Sequence, residues 1–507
     1  MKRKIMLFVT IAALIGCKKQ STHVEVNNKP NIVFVFTDDQ TYSSIHALGN
    51  TQIITPTMDS FVESGTTFTH AYNMGSWSGA VCAASRAMMN SGRFVWRANE
   101  FRQKWKKNDA AAIEMSWGKI MEKAGYDTYM TGKWHVDVKP EKVFQNVVHE
   151  RPGMPKDTWD HFAMVEKFDK NPSLKVKGSE VVMPVGYNRP KDKNDNSWNP
   201  TEQKFGGFWQ GGMHWSEVLR DDAISFIETA TNKEKPFFMY LAFNAPHDPR
   251  QAPQEYQDLY DVEKIELPKS YLSEYPYRHA IANSNDLRDE ALAPFPRTEF
   301  AIKTHIKEYY ASITHVDAQI GKIISALKEV GELENTYIIF TADHGLAMGR
   351  HGLLGKQNLF DHSIRPPMII MGPDIPKNKK VDADVYLQDV MATAIDISGT
   401  EKPSFVEFNS FLDLARGKKK ESHYDAIYGA YLNVQRMIRK DGYKLLVYPE
   451  IHKVLLFDLE NDPEEMNDLA TDLAQKDRIN TMFQDLMKLQ EKMDDPLSLE
   501  ETYKTIL

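Results

Sequence analysis

Asn31-Ile32-Val33-Phe34-Val35-Phe36-Thr37-Asp38-Asp39-Gln40 is the stretch on which the fold turns. From Ile32 to Phe36 it is apolar without alternation and rich in β-branched and aromatic side chains. That suits a strand buried on both faces, as in a parallel sheet. The run stops abruptly at Asp38-Asp39-Gln40. Two adjacent carboxylates straight after a buried strand are costly unless paired or metal-bound. A helix cap would use only one of them, so the pair favours metal ligation over capping. In open α/β sheets, ligands sit at the carboxyl ends of the strands.

The same design recurs along the chain. Residues 126–131 read as a strand and end in Gly132-Lys133-Trp134-His135. Residues 236–243 end in Asn244-Ala245-Pro246-His247-Asp248, and residues 336–341 in Ala342-Asp343-His344-Gly345. Helical patterns separate them; Ile302, Ile306, Tyr309, Ile313, Val316, Ile320, Ile323 and Leu327 form a stripe at helical spacing that belongs in a core. Strands alternating with helices predict an α/β fold, a mostly parallel sheet with helices on both faces. From about Tyr424 the character changes. Residues 435–439, 443–448 and 453–458 read as short strands joined by turns, and Asp462-Pro463-Glu464-Glu465 is expected to open a helix. This predicts a smaller C-terminal antiparallel-sheet subdomain. Lys418-Lys419-Lys420, just before it, reads as a solvated linker.

Between the first two strands lies Val81-Cys82-Ala83-Ala84-Ser85-Arg86, preceded by the small-residue loop Gly75-Ser76-Trp77-Ser78-Gly79-Ala80. Residues 87–90 are mostly good helix formers, and Gly92 stands at the far end. Cys82 is therefore expected at a loop-to-helix junction, where a helix dipole favours tetrahedral anions. The alternative is a small apolar Cys packed under a helix.

The pattern Cys82-x-Ala84-x-Arg86 resembles the type I sulfatase signature, Cys-x-Pro/Ala-x-Arg, whose Cys is oxidised to a formylglycine (3-oxoalanine) aldehyde. Ala84 stands where Pro is commoner; the Ala form is associated with an anaerobic radical-type maturase. Asp38, Asp39, Lys133, His135, His247, Asp343, His344 and Lys356, the last from Gly352-Leu353-Leu354-Gly355-Lys356, reproduce in chain order that family's active-site series. The resemblance runs from about Asn31 to the Asp462-Pro463 turn. It implies an alkaline-phosphatase-like fold and one divalent cation, normally Ca²⁺. Asp38, Asp39, Asp343, His344 and an oxygen of matured Cys82 would bind it. His344 replaces the Asn often found there, which leaves the identity of the metal open. Lys133 and Lys356 would compensate charge on the sulfuryl oxygens, and Arg86 would hold the formylglycine. His247 would protonate the departing oxygen, and His135 would take a proton from the second hydroxyl of the hydrated aldehyde to expel sulfate.

Composition agrees with a large folded protein: 507 residues, 42% apolar and 11% aromatic. A net charge of −8, without a basic tail or zinc pattern, argues against a nucleic-acid partner. Lys2-Arg3-Lys4, the apolar run 5–15 and Leu14-Ile15-Gly16-Cys17 resemble a bacterial lipoprotein signal, with lipidation on Cys17. Residues 1–16 are read as signal peptide, 17–30 as tether, 31–420 as catalytic domain and 421–507 as C-terminal subdomain. The expected location is the bacterial cell envelope, with the membrane reached through the lipid anchor only. With Cys17 and Cys82 so assigned, neither of the two cysteines remains for a disulfide.

Residues 149–210 and 267–297 lack periodicity, and substrate selectivity is placed there. Trp159, Trp198 and Trp209 suit either sugar stacking or ordinary loop packing. The expected partners are a sulfated carbohydrate (algal ulvan- or carrageenan-like, or glycosaminoglycan) and the formylglycine-maturing enzyme. Alternatives are a phosphoester or phosphonate hydrolase, a choline-sulfatase-like enzyme, or a sugar-binding lipoprotein with a dead site.

Overall fold

The computed structural model describes residues 29–157, 161–170 and 183–506. Cys17 and its signal, most of the tether, and Trp159 lie outside the described residues. The strand Asn31–Thr37 sits near the middle of an eight-stranded sheet. It pairs in parallel with Thr336–Ala342 on one side and with Phe237–Ala242 on the other. Asp127–Lys133 and then Asn146–Arg151 continue the parallel set. At the opposite edge Met368–Met371 runs antiparallel, followed by Thr66–Phe68 and Lys379–Val381. The sheet is mostly parallel, as its unalternating strands require.

Within Asn31–Thr37 the two-residue period divides the side chains between two cores. Val33 and Val35 join Met239, Leu241, Ile338 and Phe340 under the long helix Glu299–Glu329 and the helix Trp215–Thr231. Ile32, Phe34 and Phe36 join Tyr240, Ile339 and Trp117 on the other face. All five are fully buried, each worth roughly 1.5–3 kcal/mol of transfer free energy. The predicted stripe from Ile302 to Leu327 is buried along its whole length. It forms one side of the first core.

The C-terminal sheet has five strands. Ile427–Tyr431, Gln435–Lys440, Tyr443–Tyr448 and Lys453–Asp458 form an antiparallel meander, and Gly75–Ser76 adds a short parallel edge. The loop leading to Cys82 is thus part of this second sheet. The expected helix at Asp462-Pro463-Glu464-Glu465 is a turn instead; the next α-helix is Lys476–Lys492, and Glu500–Ile506 follows it. Glu465 takes a φ of 55°, which no helix tolerates, because its carboxylate reaches into the interior. There it pairs with Lys444 at 2.7 Å and accepts the Asp361 N–H at 2.7 Å.

The aperiodic region 149–210 contains the helix His161–Lys170 and begins within the strand Asn146–Arg151. Trp198 is buried under the Arg189 guanidinium, 3.9 Å from its ring centre, and Arg189 is paired with Glu308. Its role is loop packing.

Gly75 adopts φ +99°, and a Cβ there would fall 1.8 Å from the Ala430 carbonyl oxygen. Gly75→Ala should therefore force this edge strand away from Ile427–Tyr431. A destabilisation of about 2 kcal/mol or more, visible as a lowered Tm by calorimetry, is expected together with lost activity. An unchanged Tm would contradict this coupling.

Candidate active site

The parallel register sets Thr37 beside Ala342, Phe36 beside Ala242 and Gly132 beside Ala242. Whatever follows those residues must meet at one end of the sheet. Asp38, Lys133 and Asp343 do so directly; His247 arrives from the loop beyond Phe237–Ala242. Asp39 takes a φ of 65°, a conformation Asp adopts more readily than most residues. The turn lets consecutive carboxylates converge, where a strand would send them to opposite faces.

Cys82 is the second residue of the helix Val81–Ser91, which ends on Gly92 at φ +66°. The thiol is buried. Its Sγ lies 3.6 Å from Asp39 Oδ1 and 3.0 Å from Lys356 Nζ. One oxygen from each of Asp38, Asp39 and Asp343 falls, with Cys82 Sγ, within 4.8 Å of the others. Three cations surround this group. Arg86 Nε donates to Asp343 Oδ2 at 2.9 Å, and its NH1 to the Lys133 carbonyl at 2.7 Å. Lys133 pairs with Asp38, and Lys356 Nζ lies 2.6 Å from Asp39 Oδ1. All six side chains are buried.

Burial pushes the Asp38 carboxyl well above the usual range, and Asp343 beside it pushes further. Burial raises Asp39 to about 6 despite Lys356. Burial acts on Asp343 too, but Arg86 and then Lys133 outweigh it and hold that carboxyl well below the usual range. The Cys82 thiol is pushed up by burial and by Asp343.

The three carboxylates suit a hard divalent cation: the donors are oxygens and converge on one point, and Asp38 Oδ1 is buried without a hydrogen-bond partner. His344 is placed differently. Its Nδ1 faces the Ser363 carbonyl at 3.3 Å, and no convergent group among the described residues includes it. Its Nε2 is buried without a hydrogen-bond partner, and burial lowers the ring to about 4.

His135 and His247 line, with Cys82 and Lys356, a cavity of about 900 Å³. The His135 ring lies against the bare backbone of Gly153, where a Cβ would come 2.6 Å from its Cε1. Burial and Lys133 lower His135 to about 3, so it stands neutral, with Nδ1 unpartnered. His247 Nδ1 donates to the Asp248 carbonyl at 2.7 Å, and its Nε2 sits 3.6 Å from Asp39 Oδ2. Burial, then Lys356, hold His247 well below its ordinary value.

The site includes residues that the sequence did not single out. Arg288, from the aperiodic segment 267–297, pairs with Asp248 and Asp289 and places NH2 3.3 Å from His247 Nε2. Gln357 Nε2 donates to Asp289 Oδ2 at 2.6 Å. Tyr309 donates to the Asp39 carbonyl at 2.7 Å, and Asn73 Nδ2 to the Asp343 carbonyl at 2.8 Å. The charged run Arg288-Asp289-Glu290 was the available signal for the first of these. Tyr309 was hidden in an apolar stripe.

Comparison with known proteins identifies the family. The Sulfatase family model matches residues 30–400, and a model described as N-sulphoglucosamine sulphohydrolase, C-terminal, matches residues 349–492. An arylsulfatase of Clostridium perfringens is 28% identical over 91% of this chain and 94% of its own length. An N-acetylglucosamine-6-O-sulfatase of Bacteroides thetaiotaomicron is 25% identical over 97% and 92%. A protein solved in complex with its substrate D-glucosamine-2-N,6-O-disulfate superposes with a TM-score of 0.69. That match has 21% identity and covers 92% of this chain and 99% of the other. The chain belongs to the sulfatase family. It is a sulfuric ester hydrolase on an alkaline-phosphatase-like fold.

Arg86 is the cation that ties Asp343 to the sheet end. Arg86→Ala should leave buried carboxylates uncompensated and cost about 3–5 kcal/mol. Arg86→Lys should recover part of that loss. Equal Tm values for wild type and Arg86→Ala would contradict the assignment.

Proposed function

We propose that this chain hydrolyses O-sulfate esters on sulfated polysaccharides or their oligosaccharides, using a formylglycine made from Cys82. The observation that carries the reading is the convergence of three carboxylates on Cys82 and Lys356, which themselves line a cavity of about 900 Å³. Two relatives support the substrate class: one is an N-acetylglucosamine-6-O-sulfatase, the other holds a sulfated glucosamine. A choline ester fits less well. Quaternary ammonium groups are held by aromatic cages. Among the described residues lining this cavity, Phe162 supplies the only phenyl ring, and there is no Tyr or Trp.

Matured Cys82 would supply a hydrated aldehyde, one hydroxyl to attack sulfur and a second to release sulfate afterwards. A divalent cation held by Asp38, Asp39 and Asp343, normally Ca²⁺ in this family, would act as a Lewis acid toward the sulfuryl oxygens. Lys133 and Lys356 add fixed positive charge on the same side without reorganisation. Arg86 keeps Asp343 ionised and seats the Cys82 helix against the sheet end. His247 faces the cavity through Nε2, 3.6 Å from Asp39 Oδ2, and once protonated there beside the bound, negatively charged ester it would deliver that proton to the departing sugar oxygen. His135, neutral and unpartnered at Nδ1, would take the proton whose loss frees sulfate. The basic and apolar N-terminal residues and Leu14-Ile15-Gly16-Cys17 support a lipid anchor in a cell envelope.

The test is release of sulfate from a panel of defined sulfated oligosaccharides, with phosphonate and choline esters alongside. Turnover is expected on one or more sugars, from enzyme whose Cys82 peptide carries the aldehyde. Activity confined to the phosphonate or choline ester would overturn the substrate class. Within that panel His247→Ala should slow a sugar sulfate far more than nitrophenyl sulfate, whose oxygen leaves largely unaided. The gap should be about 10²-fold or more. Equal losses on both would remove His247 from the role of acid.

A further inference from the structure

We infer that Arg288 is a positioning residue for the leaving-group half of the reaction: together with Asp248 it holds the His247 ring with Nε2 turned to the departing oxygen. This rests on the reading of His247 as the general acid given above. Arg288 lines the same cavity as Cys82 and His247, and its guanidinium reaches both ends of the imidazole. At one end the Asp248 carboxylate stands between the two residues. Its Oδ2 pairs with Arg288 NH1, and its Oδ1 lies 3.2 Å from His247 Nδ1. At the other end Arg288 NH2 sits 3.3 Å from Nε2.

A guanidinium only donates hydrogen bonds, and a carbonyl or carboxylate only accepts them. Nδ1, facing the Asp248 carbonyl at 2.7 Å and its carboxylate, must therefore carry the proton of the neutral ring. Nε2 is left to present its lone pair, which is what Arg288 NH2 requires. Both ends thus select one tautomer and one ring tilt. Among the described residues, Arg288 is the only Lys or Arg paired with the buried Asp248 carboxylate. Arg288 is itself braced. Its NH2 pairs with Asp289, whose Oδ2 accepts from Gln357 Nε2 at 2.6 Å, next to Lys356. When Nε2 takes its proton, NH2 loses an acceptor there but keeps Asp289, so the hold through Asp248 persists. Glu290, the next residue, accepts the Leu354 and Gly355 N–H groups at 3.1 and 2.9 Å. Three consecutive residues therefore grip both the loop that bears His247 and the loop that bears Lys356. The side-chain partners of Arg288 are Asp248, Asp289, His247 and Met154, none of them assigned to the sulfuryl end. Its loss should accordingly be felt by the leaving group.

The experiment measures kcat and KM of Arg288→Gln and Arg288→Lys on the best sugar sulfate of the panel and on nitrophenyl sulfate. Each is made alone and in the His247→Ala background, with formylglycine content matched. A misplaced acid predicts that Arg288→Gln lowers kcat on the sugar by about tenfold or more, while nitrophenyl sulfate stays near wild type. Arg288→Lys, which keeps a cation beside Asp248, should recover part of the loss. In the His247→Ala background Arg288→Gln should cost nothing further on the sugar, because the two residues act as a unit. Equal losses on both substrates, or a full additional loss in the His247→Ala background, would overturn the inference and leave His247 as the acid. If Arg288→Gln does not fold, Arg288→Lys decides. A loss selective for the sugar that vanishes without His247 supports the inference, and an absent, even or additive loss overturns it. Equal losses on both substrates for His247→Ala alone would bring down the reading of His247 as acid, and this inference with it.

Discussion

Three carboxylates buried at the ends of two adjacent strands are the constraint on which the rest of the structure depends. At an effective dielectric constant near 20, each like-charged pair about 4 Å apart costs roughly 4 kcal/mol. The fold answers with Arg86, Lys133 and Lys356, one cation against each carboxylate. That balance leaves the centre formally neutral, and a divalent cation would turn it positive. A positive centre is what a sulfate ester needs at the moment its S–O bond breaks. Burial raises the Asp38 and Asp39 carboxyls, and Asp343 adds to the rise in both.

Each compensating cation comes from a different part of the chain, so the cluster also fixes the topology. Arg86 arrives on the Cys82 helix, Lys133 at a strand end, and Lys356 from the loop after Thr336–Ala342. The C-terminal sheet holds the same region from the other side. Gly75–Ser76 pairs with Ile427–Tyr431 just before the Cys82 helix begins. Lys444, on a central strand of that sheet, pairs with Asp361 and Glu465. The second sheet therefore acts on the catalytic loop through backbone pairing and buried charge.

Much of this was legible in the sequence because parallel sheets write themselves plainly. The unalternating run 31–37 gave a two-sided strand, and each polar residue just past such a run had to lie at the same end. The helical stripe from Ile302 to Leu327 was equally direct. What escaped were features set by long-range contact. Gly75–Ser76 is too short to carry a pattern, and it is a strand only because Ala430 lies beside it. The turn at Glu465 defeated a local helix signal because a buried lysine claims the carboxylate. Arg288 lay in an aperiodic segment where nothing marks which charge turns inward. His344, adjacent to Asp343 in sequence, faces the Ser363 carbonyl, since neighbouring side chains need not share a direction.

Metal content tests the central claim most directly. Purified protein, dialysed without chelator, should retain one equivalent of a divalent cation by inductively coupled plasma mass spectrometry. Asp38→Asn and Asp343→Asn, which keep the shape of the site and remove charge, should lose it, and activity with it. A wild-type protein that desulfates its substrate at full rate with no bound divalent cation would contradict the account.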